Sequence, residues 1–182
     1  MENNGQHYEK NEAGIFLPKQ KLILGGRFFC THLRKGEVID EWEDDNLVVN
    51  QGLNHILDVV FHGTTPVSPW YVGLFEGNYT PVAGLTAATV ASAATECTAY
   101  DESVRQDYTE AAAASQSITN SASRATFTFN ATKTIYGAFL ISDSTKSGTS
   151  GSLLAAARFS ASKAVVDDDQ LLVTYTFNAS SV

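Results

Sequence analysis

The strongest constraint on the fold is a pattern of alternating polarity near the C-terminus. Ala125-Thr126-Phe127-Thr128-Phe129-Asn130 repeats with period two, and Leu171, Val173, Tyr175 and Phe177 interleave with Leu172, Thr174, Thr176 and Asn178. Successive side chains of a strand point to opposite faces, so this pattern describes extended segments with one buried face. Ile135-Tyr136-Gly137-Ala138-Phe139-Leu140-Ile141 and Trp70-Tyr71-Val72-Gly73-Leu74-Phe75 are apolar on both faces, as expected for strands covered from two sides. Ser142 to Gly151 is a Ser/Thr/Gly loop, after which Leu153 to Phe159 returns as a strand. Short strands joined by such turns bury a core only by packing as antiparallel hairpins. The sequence therefore predicts a mainly β fold, an antiparallel, jelly-roll-like β-sandwich over residues 26–182 with one short helix.

Ahead of that domain, residues 1–25 read as an extended N-terminal arm. Its first dozen residues are polar; Ile15-Phe16-Leu17 and Leu22-Ile23-Leu24 are apolar islands split by Pro18 and Lys19 to Lys21. Islands this small build no core of their own, so these six residues are the candidates for docking on a partner or on the chain's own domain. Arg27 to Leu33 and Glu37 to Trp42, separated by Arg34-Lys35-Gly36, predict a β-hairpin. The one clear helix is expected near residues 51–62: Leu53, Ile56, Leu57, Val60 and Phe61 form one apolar stripe, Asn50 is placed to cap it, and Gly63 to end it. The stripe is expected to lie over one end or face of a sheet. Residues 81–123 are rich in Ala, Ser and Thr and lack a clean period; they suit a long surface excursion with a short helix near Ala87 to Ala94 and a strand around Thr98 to Tyr100.

Charge and motif content argue for binding rather than chemistry. Lys and Arg number 12 against 20 Asp and Glu, a formal net charge of -8 that opposes binding to nucleic acid or an anionic membrane. The polar N-terminus lacks the apolar segment of a signal peptide, which implies synthesis in a cytoplasm. The only cysteines, Cys30 and Cys97, fit no zinc or redox spacing. His55 and His62 lie seven apart, beyond the four-residue spacing of a helical metal pair, and no phosphate loop, dinucleotide fingerprint or nucleophile elbow occurs. Asp167-Asp168-Asp169, between two apolar runs, reads as a hairpin turn, and Glu41, Glu43, Asp44 and Asp45 as the solvated edge of a strand. Trp70 and Tyr71 read as core. No catalytic residue, metal or cofactor is expected, and the chain is read as a non-enzyme.

Asn46-Leu47-Val48-Val49-Asn50-Gln51-Gly52-Leu53-Asn54-His55-Ile56-Leu57-Asp58, followed by Trp70-Tyr71-Val72-Gly73-Leu74, resembles a pattern in virion structural proteins of tailed bacteriophages. Gly36-Glu37-Val38-Ile39-Asp40, Ala125-Thr126-Phe127-Thr128-Phe129 and Tyr136-Gly137-Ala138-Phe139-Leu140-Ile141-Ser142 are similar to the same family, so that the resemblance covers residues 26–178. It implies a capsid cement, or decoration, protein that binds the outside of an icosahedral shell and bridges neighbouring major capsid proteins against the pressure of packaged DNA. Self-assembly as a dimer or, preferably, a trimer is implied with it. Ile15 to Leu24 would add a strand to a neighbour's sheet edge. The alternative implication is a tail or tail-fibre component, structural or host-binding, with Trp70, Tyr71, Tyr100 and Tyr108 as candidates for a sugar platform.

Overall fold

The computed structural model describes residues 8–10, 12–18 and 22–181. In chain order the strands are β1 (Tyr8–Lys10), β2 (Phe16–Pro18), β3 (Leu22–Arg34), β4 (Glu37–Asp45) and β5 (Leu47–Val48), followed by helix α1 (Asn50–Phe61) and β6 (Trp70–Phe75). Helix α2 (Ala87–Ala93) precedes β7 (Glu96–Cys97), β8 (Gln106–Tyr108), β9 (Ser117–Thr119) and β10 (Ala125–Thr128). The chain closes with β11 (Lys133–Ile141), β12 (Leu153–Val165) and β13 (Gln170–Ser181).

Two antiparallel sheets face one another, which is the sandwich the alternation predicts. One has the order β10-β13-β3-β4, with β9 also on β13; the other has the order β5-β12-β11-β6-β7, with β8 also on β6. Edge positions are taken largely by short strands: β10 and β9 share one side of β13 end to end, and β7 and β8 share one side of β6. Short edges leave little backbone free to recruit a stranger's strand, and the longer edge strand β4 carries Glu37, Asp40, Glu41, Glu43, Asp44 and Asp45.

Between the sheets lie Phe28, Cys30, Val72, Leu74, Phe127, Ala138, Leu140, Phe159, Leu171, Val173 and Tyr175. The other face of β11 and β6 presents Phe139, Ile141 and Phe75 to a second cluster with Val49, Leu85, Val90 and Ala94. This outer layer, built around α2, is why β6 and β11 read as apolar on both faces. Gly73 sits beneath the Phe139 ring, where a Cβ would collide with it.

The middle of the chain departs from the expected surface excursion. The short helix is there, as α2, held by a capping box in which Thr86 and Thr89 bond reciprocally. Tyr100 and Tyr108, though, are only 1% and 4% exposed and belong to the inter-sheet core, Tyr100 edge-on to Phe127 and Tyr108 edge-on to Tyr175. Two aromatic rings in that position bury more apolar surface than the surrounding Ala and Ser residues advertise.

Helix α1 also departs in detail. Val49 occupies the N-cap position and no side chain caps the helix; Asn50 is its first residue. Gly63 does end it in the left-handed region (φ 73), with the Asp58 carbonyl accepting from both His62 and Thr64. The stripe foreseen as a single core-facing surface is divided. Gly52 lies against the backbone of Leu154 on β12, and Ile56 packs on the core between the sheets. Leu53, Leu57, Val60 and Phe61 point away from it.

Candidate functional site

The six residues expected to dock fall in two places. Phe16 and Leu17 lie on β2, whose backbone pairs with β1 (Lys10 with Phe16, Glu9 with Leu17), and Ile15 precedes them, exposed. Leu22, Ile23 and Leu24 are the first residues of the long strand β3 and pair in the same chain with Ser181, Ser180 and Ala179. One backbone edge of these three residues is thus satisfied internally. Among the described residues no strand pairs their other edge, because β4 reaches only as far as Arg27. The sheet therefore ends in a ribbon with exposed Leu22 and Ile23. The expected arm and the sheet are continuous here, since β3 starts at Leu22 rather than at the Gly25-Gly26 pair.

At the base of the ribbon a groove of about 620 Å³ is lined by Ile23, Gly25, Arg27, Phe29, Asp45 and Asn178, among others. Arg27 spans the strand partners, donating through Nε to Asp45 (2.7 Å) and through Nη1 to Glu43 (2.7 Å). The hydrogen bond that Asp45 accepts raises the guanidinium pKa further. These groups are exposed, so water and salt screen them and they contribute little to stability. A second groove, of about 530 Å³, runs between residues 102–109 and 123–126. Arg124 lines it, donating to Thr174 Oγ1 (3.1 Å), Thr31 Oγ1 (2.6 Å) and the Leu172 carbonyl (3.3 Å), with its guanidinium 5.4 Å from the Phe29 ring centroid.

Two buried polar clusters rigidify what surrounds these surfaces. Arg105 donates to Glu96 through Nε (2.8 Å) and Nη2 (2.7 Å), and to the carbonyls of Asp143 (2.8 Å) and Gly148 (3.1 Å). Both side chains are almost wholly buried, and Glu96 also accepts the Ser147 amide (3.0 Å). The pair thereby fixes the Ser142–Gly151 loop from within. Lys146, in that loop, stacks 3.7 Å from the Tyr100 ring centroid and donates to the carbonyls of Thr98 and Tyr100.

At the β12–β13 turn, Asp169 accepts from Arg34 (2.7 and 2.8 Å), His32 (2.8 Å) and the Val166 amide (2.9 Å). Arg34 chiefly, with the Val166 amide and His32, holds this carboxyl far below its usual range against the opposing effect of burial. The Asp167-Asp168-Asp169 turn is as expected, with Asp168 left-handed (φ 64), but Asp169 is buried and not solvated.

Neither groove sets a nucleophile beside a base. Burial pushes the Cys97 thiol up to about 11 and the Cys30 thiol higher still, which keeps both protonated at neutral pH. Among the described residues no group of three or more His, Cys, Asp or Glu is placed to hold a metal ion. Of the proposed sugar platform, Tyr100 and Tyr108 are withdrawn into the core and Trp70 and Tyr71 are half-buried, with His55 edge-on to Trp70. These four rings form no exposed stacking surface.

The feature the stripe concealed is the outer face of α1. Leu53, Leu57, Val60 and Phe61 are 36%, 53%, 63% and 82% exposed, and Phe61 is the most exposed of the large apolar side chains described. Periodicity identifies an apolar helix but not how many neighbours it has. The sequence does carry a second signal: from Asn46 to Phe75 the only Asp, Glu, Lys or Arg is Asp58.

A family model described as Podophage GP4 fiber I protein gp80 matches residues 48–179. The match runs from β5 into β13 and takes in α1, both helical and strand layers, and the buried Glu96–Arg105 pair. No curated protein matches the chain. The resemblance to phage virion structural proteins is thereby supported at that level. Its finer reading as capsid cement is not, because the matched family is one of fibre proteins.

Proposed function

The chain belongs to the Podophage GP4 fiber I protein gp80 family and is a phage virion structural protein; from that premise we propose that it is a subunit of a tail fibre on a podophage virion. The observation that carries this reading is the family match over residues 48–179, which covers most of the sandwich. The physical character of the domain is in keeping with it. A fibre subunit transmits force and presents a surface, and both call for a stiff body with fixed loops. Here the loops at one end are tied by a bidentate buried ion pair and by Lys146, and the turn at β12–β13 by Asp169.

In this role the protein works through shape and non-covalent contact, without a reacting side chain. Gold-labelled antibody against the chain, imaged on intact virions, tests the assignment. Label confined to the tail fibres, with reduced host adsorption of particles that lack the chain, is the expected result. Label spread over the capsid shell, with normal adsorption when the chain is missing, would overturn it.

A further inference from the structure

We propose that the outer face of α1 is an interface with the same face of a second copy of this chain. It goes beyond the fibre reading and does not depend on it, since it stands on exposure and charge.

Gly52 and Ile56 already satisfy the inward side of α1 against β12 and the core. Leu53, Leu57, Val60 and Phe61 follow at spacings of four, three and one, which places them together on the adjacent side of the helix. A helix apolar on two adjacent sides is built to lie between two bodies, and this chain supplies one of them. The four side chains leave on the order of 400 Å² of apolar surface in water, about half of one partner's share of a standard interface. Residues 62–69, which follow Phe61 directly and are exposed except for Val67, are available to supply a rim.

Charge selects the occupant. Each copy carries a formal charge of -8, and β4 alone presents six carboxylates. A basic partner would be drawn to that acidic strand rather than to a neutral helix. Two copies repel except where the facing surfaces are free of charge, because screening is incomplete within about 8 Å at physiological salt. Asn46 to Phe75 is such a region; its single charge, Asp58, stands at the margin of the apolar face, next to Phe61 and well round the helix from Leu53 and Val60. A row of Leu, Leu, Val and Phe is also self-complementary, the property an isologous contact needs.

Sedimentation equilibrium of the full chain tests the proposal. The wild type should self-associate reversibly, and Leu57→Glu or Phe61→Glu should each weaken association at least tenfold. Both positions are more than half exposed, so the melting temperature of either variant's monomer should be unchanged. Val38→Glu, at an equally exposed position on β4, should associate as the wild type does. As a second reading, Phe61→Cys should form covalent dimers with a short bis-maleimide, because the native Cys30 and Cys97 are buried, whereas Thr149→Cys should not. A wild type that stays monomeric at high concentration, association indifferent to both Glu variants, or Phe61→Cys cross-linking in virions to a different protein would each overturn the proposal. Dimers that depend on Leu57, together with antibody label on the capsid shell, would leave this interface standing while the fibre reading fell.

Discussion

Replacing Arg105 by Met is the sharpest probe of what holds the loop end of the sandwich. The side chain makes four hydrogen bonds, two to Glu96 and one each to the carbonyls of Asp143 and Gly148, at 2.7–3.1 Å. Methionine fills much of the same space but makes none of them. Glu96 would be left 1% exposed with only the Ser147 amide as a partner. Removing one member of a buried ion pair costs about 3–5 kcal/mol, and stranding two carbonyls adds to it wherever water fails to reach them. A loss of about 4 kcal/mol is a large part of the 5–15 kcal/mol typical of a domain.

The double variant Glu96→Met/Arg105→Met separates this reasoning from simple loss of packing. With neither charge of the pair left, it should recover at least ~2 kcal/mol relative to Arg105→Met alone, a coupling within the range of contacting residues. Urea unfolding followed by the fluorescence of Trp42 and Trp70 measures both, with an unchanged slope as the check on two-state behaviour. Hydrogen exchange at the Ser147 amide should quicken in the single variant. If Arg105→Met cost less than ~1 kcal/mol, or if the double variant were no more stable than the single, the account of this pair as the tie for the Ser142–Gly151 loop would be refuted.

Asp169→Asn should destabilise by roughly 2–4 kcal/mol at neutral pH, as expected for loss of a buried carboxylate that answers several donors. Because the folded carboxyl sits below its unfolded value near 3.9, its contribution is complete above that pH and disappears as pH falls toward the folded value. The wild type should therefore weaken below about pH 4 while Asp169→Asn shows a flatter acid limb in denaturant titrations; identical limbs would contradict this. Gly52→Ala places a methyl against the Leu154 backbone, and although alanine favours helix by up to ~1 kcal/mol, overpacking of ~1–3 kcal/mol should win and lower the melting temperature. Tyr108→Phe removes a buried hydroxyl that finds no hydrogen-bond partner among the described residues, so its unfolding free energy should change by less than ~1 kcal/mol, in contrast to Tyr108→Ala, where the lost ring should cost ~3–5 kcal/mol.

How much of this was legible depends on whether a residue's partner is near in sequence. The strands β10 and β13 follow directly from local alternation, β11 from its continuous apolar run, and the β3–β4 hairpin from Arg34-Lys35-Gly36, because a period, a run and a turn are local properties. Glu96 and Arg105 are a different case. They are nine residues apart in a stretch with no period, and nothing local marks them as a pair; only the fold brings the Asp143 and Gly148 carbonyls over Arg105. Tyr100 and Tyr108 escaped for the same reason, since their ring partners Phe127 and Tyr175 come from distant strands. Asp169 was half legible: its neighbours mark a turn, but His32 and Arg34 lie on β3 and turn a solvated residue into a buried anchor.

Helix α1 shows the limit most clearly, and the same limit is what makes the helix informative. Amphipathic spacing states that a face is apolar; it carries no record of which body covers it. Leu53, Ile56, Leu57, Val60 and Phe61 satisfy one pattern, yet Ile56 enters the core and the other four are left in water. Burying such a face is favourable at roughly 25 cal/mol per Å² wherever the cover comes from. Intramolecular folding takes only part of that gain, because Gly52 draws the helix down on Leu154 along one line and turns the remaining face outward. A chain that keeps thirty residues around this helix clear of all charge but Asp58, while carrying a net -8 overall, has left that remaining gain open to an equally neutral surface.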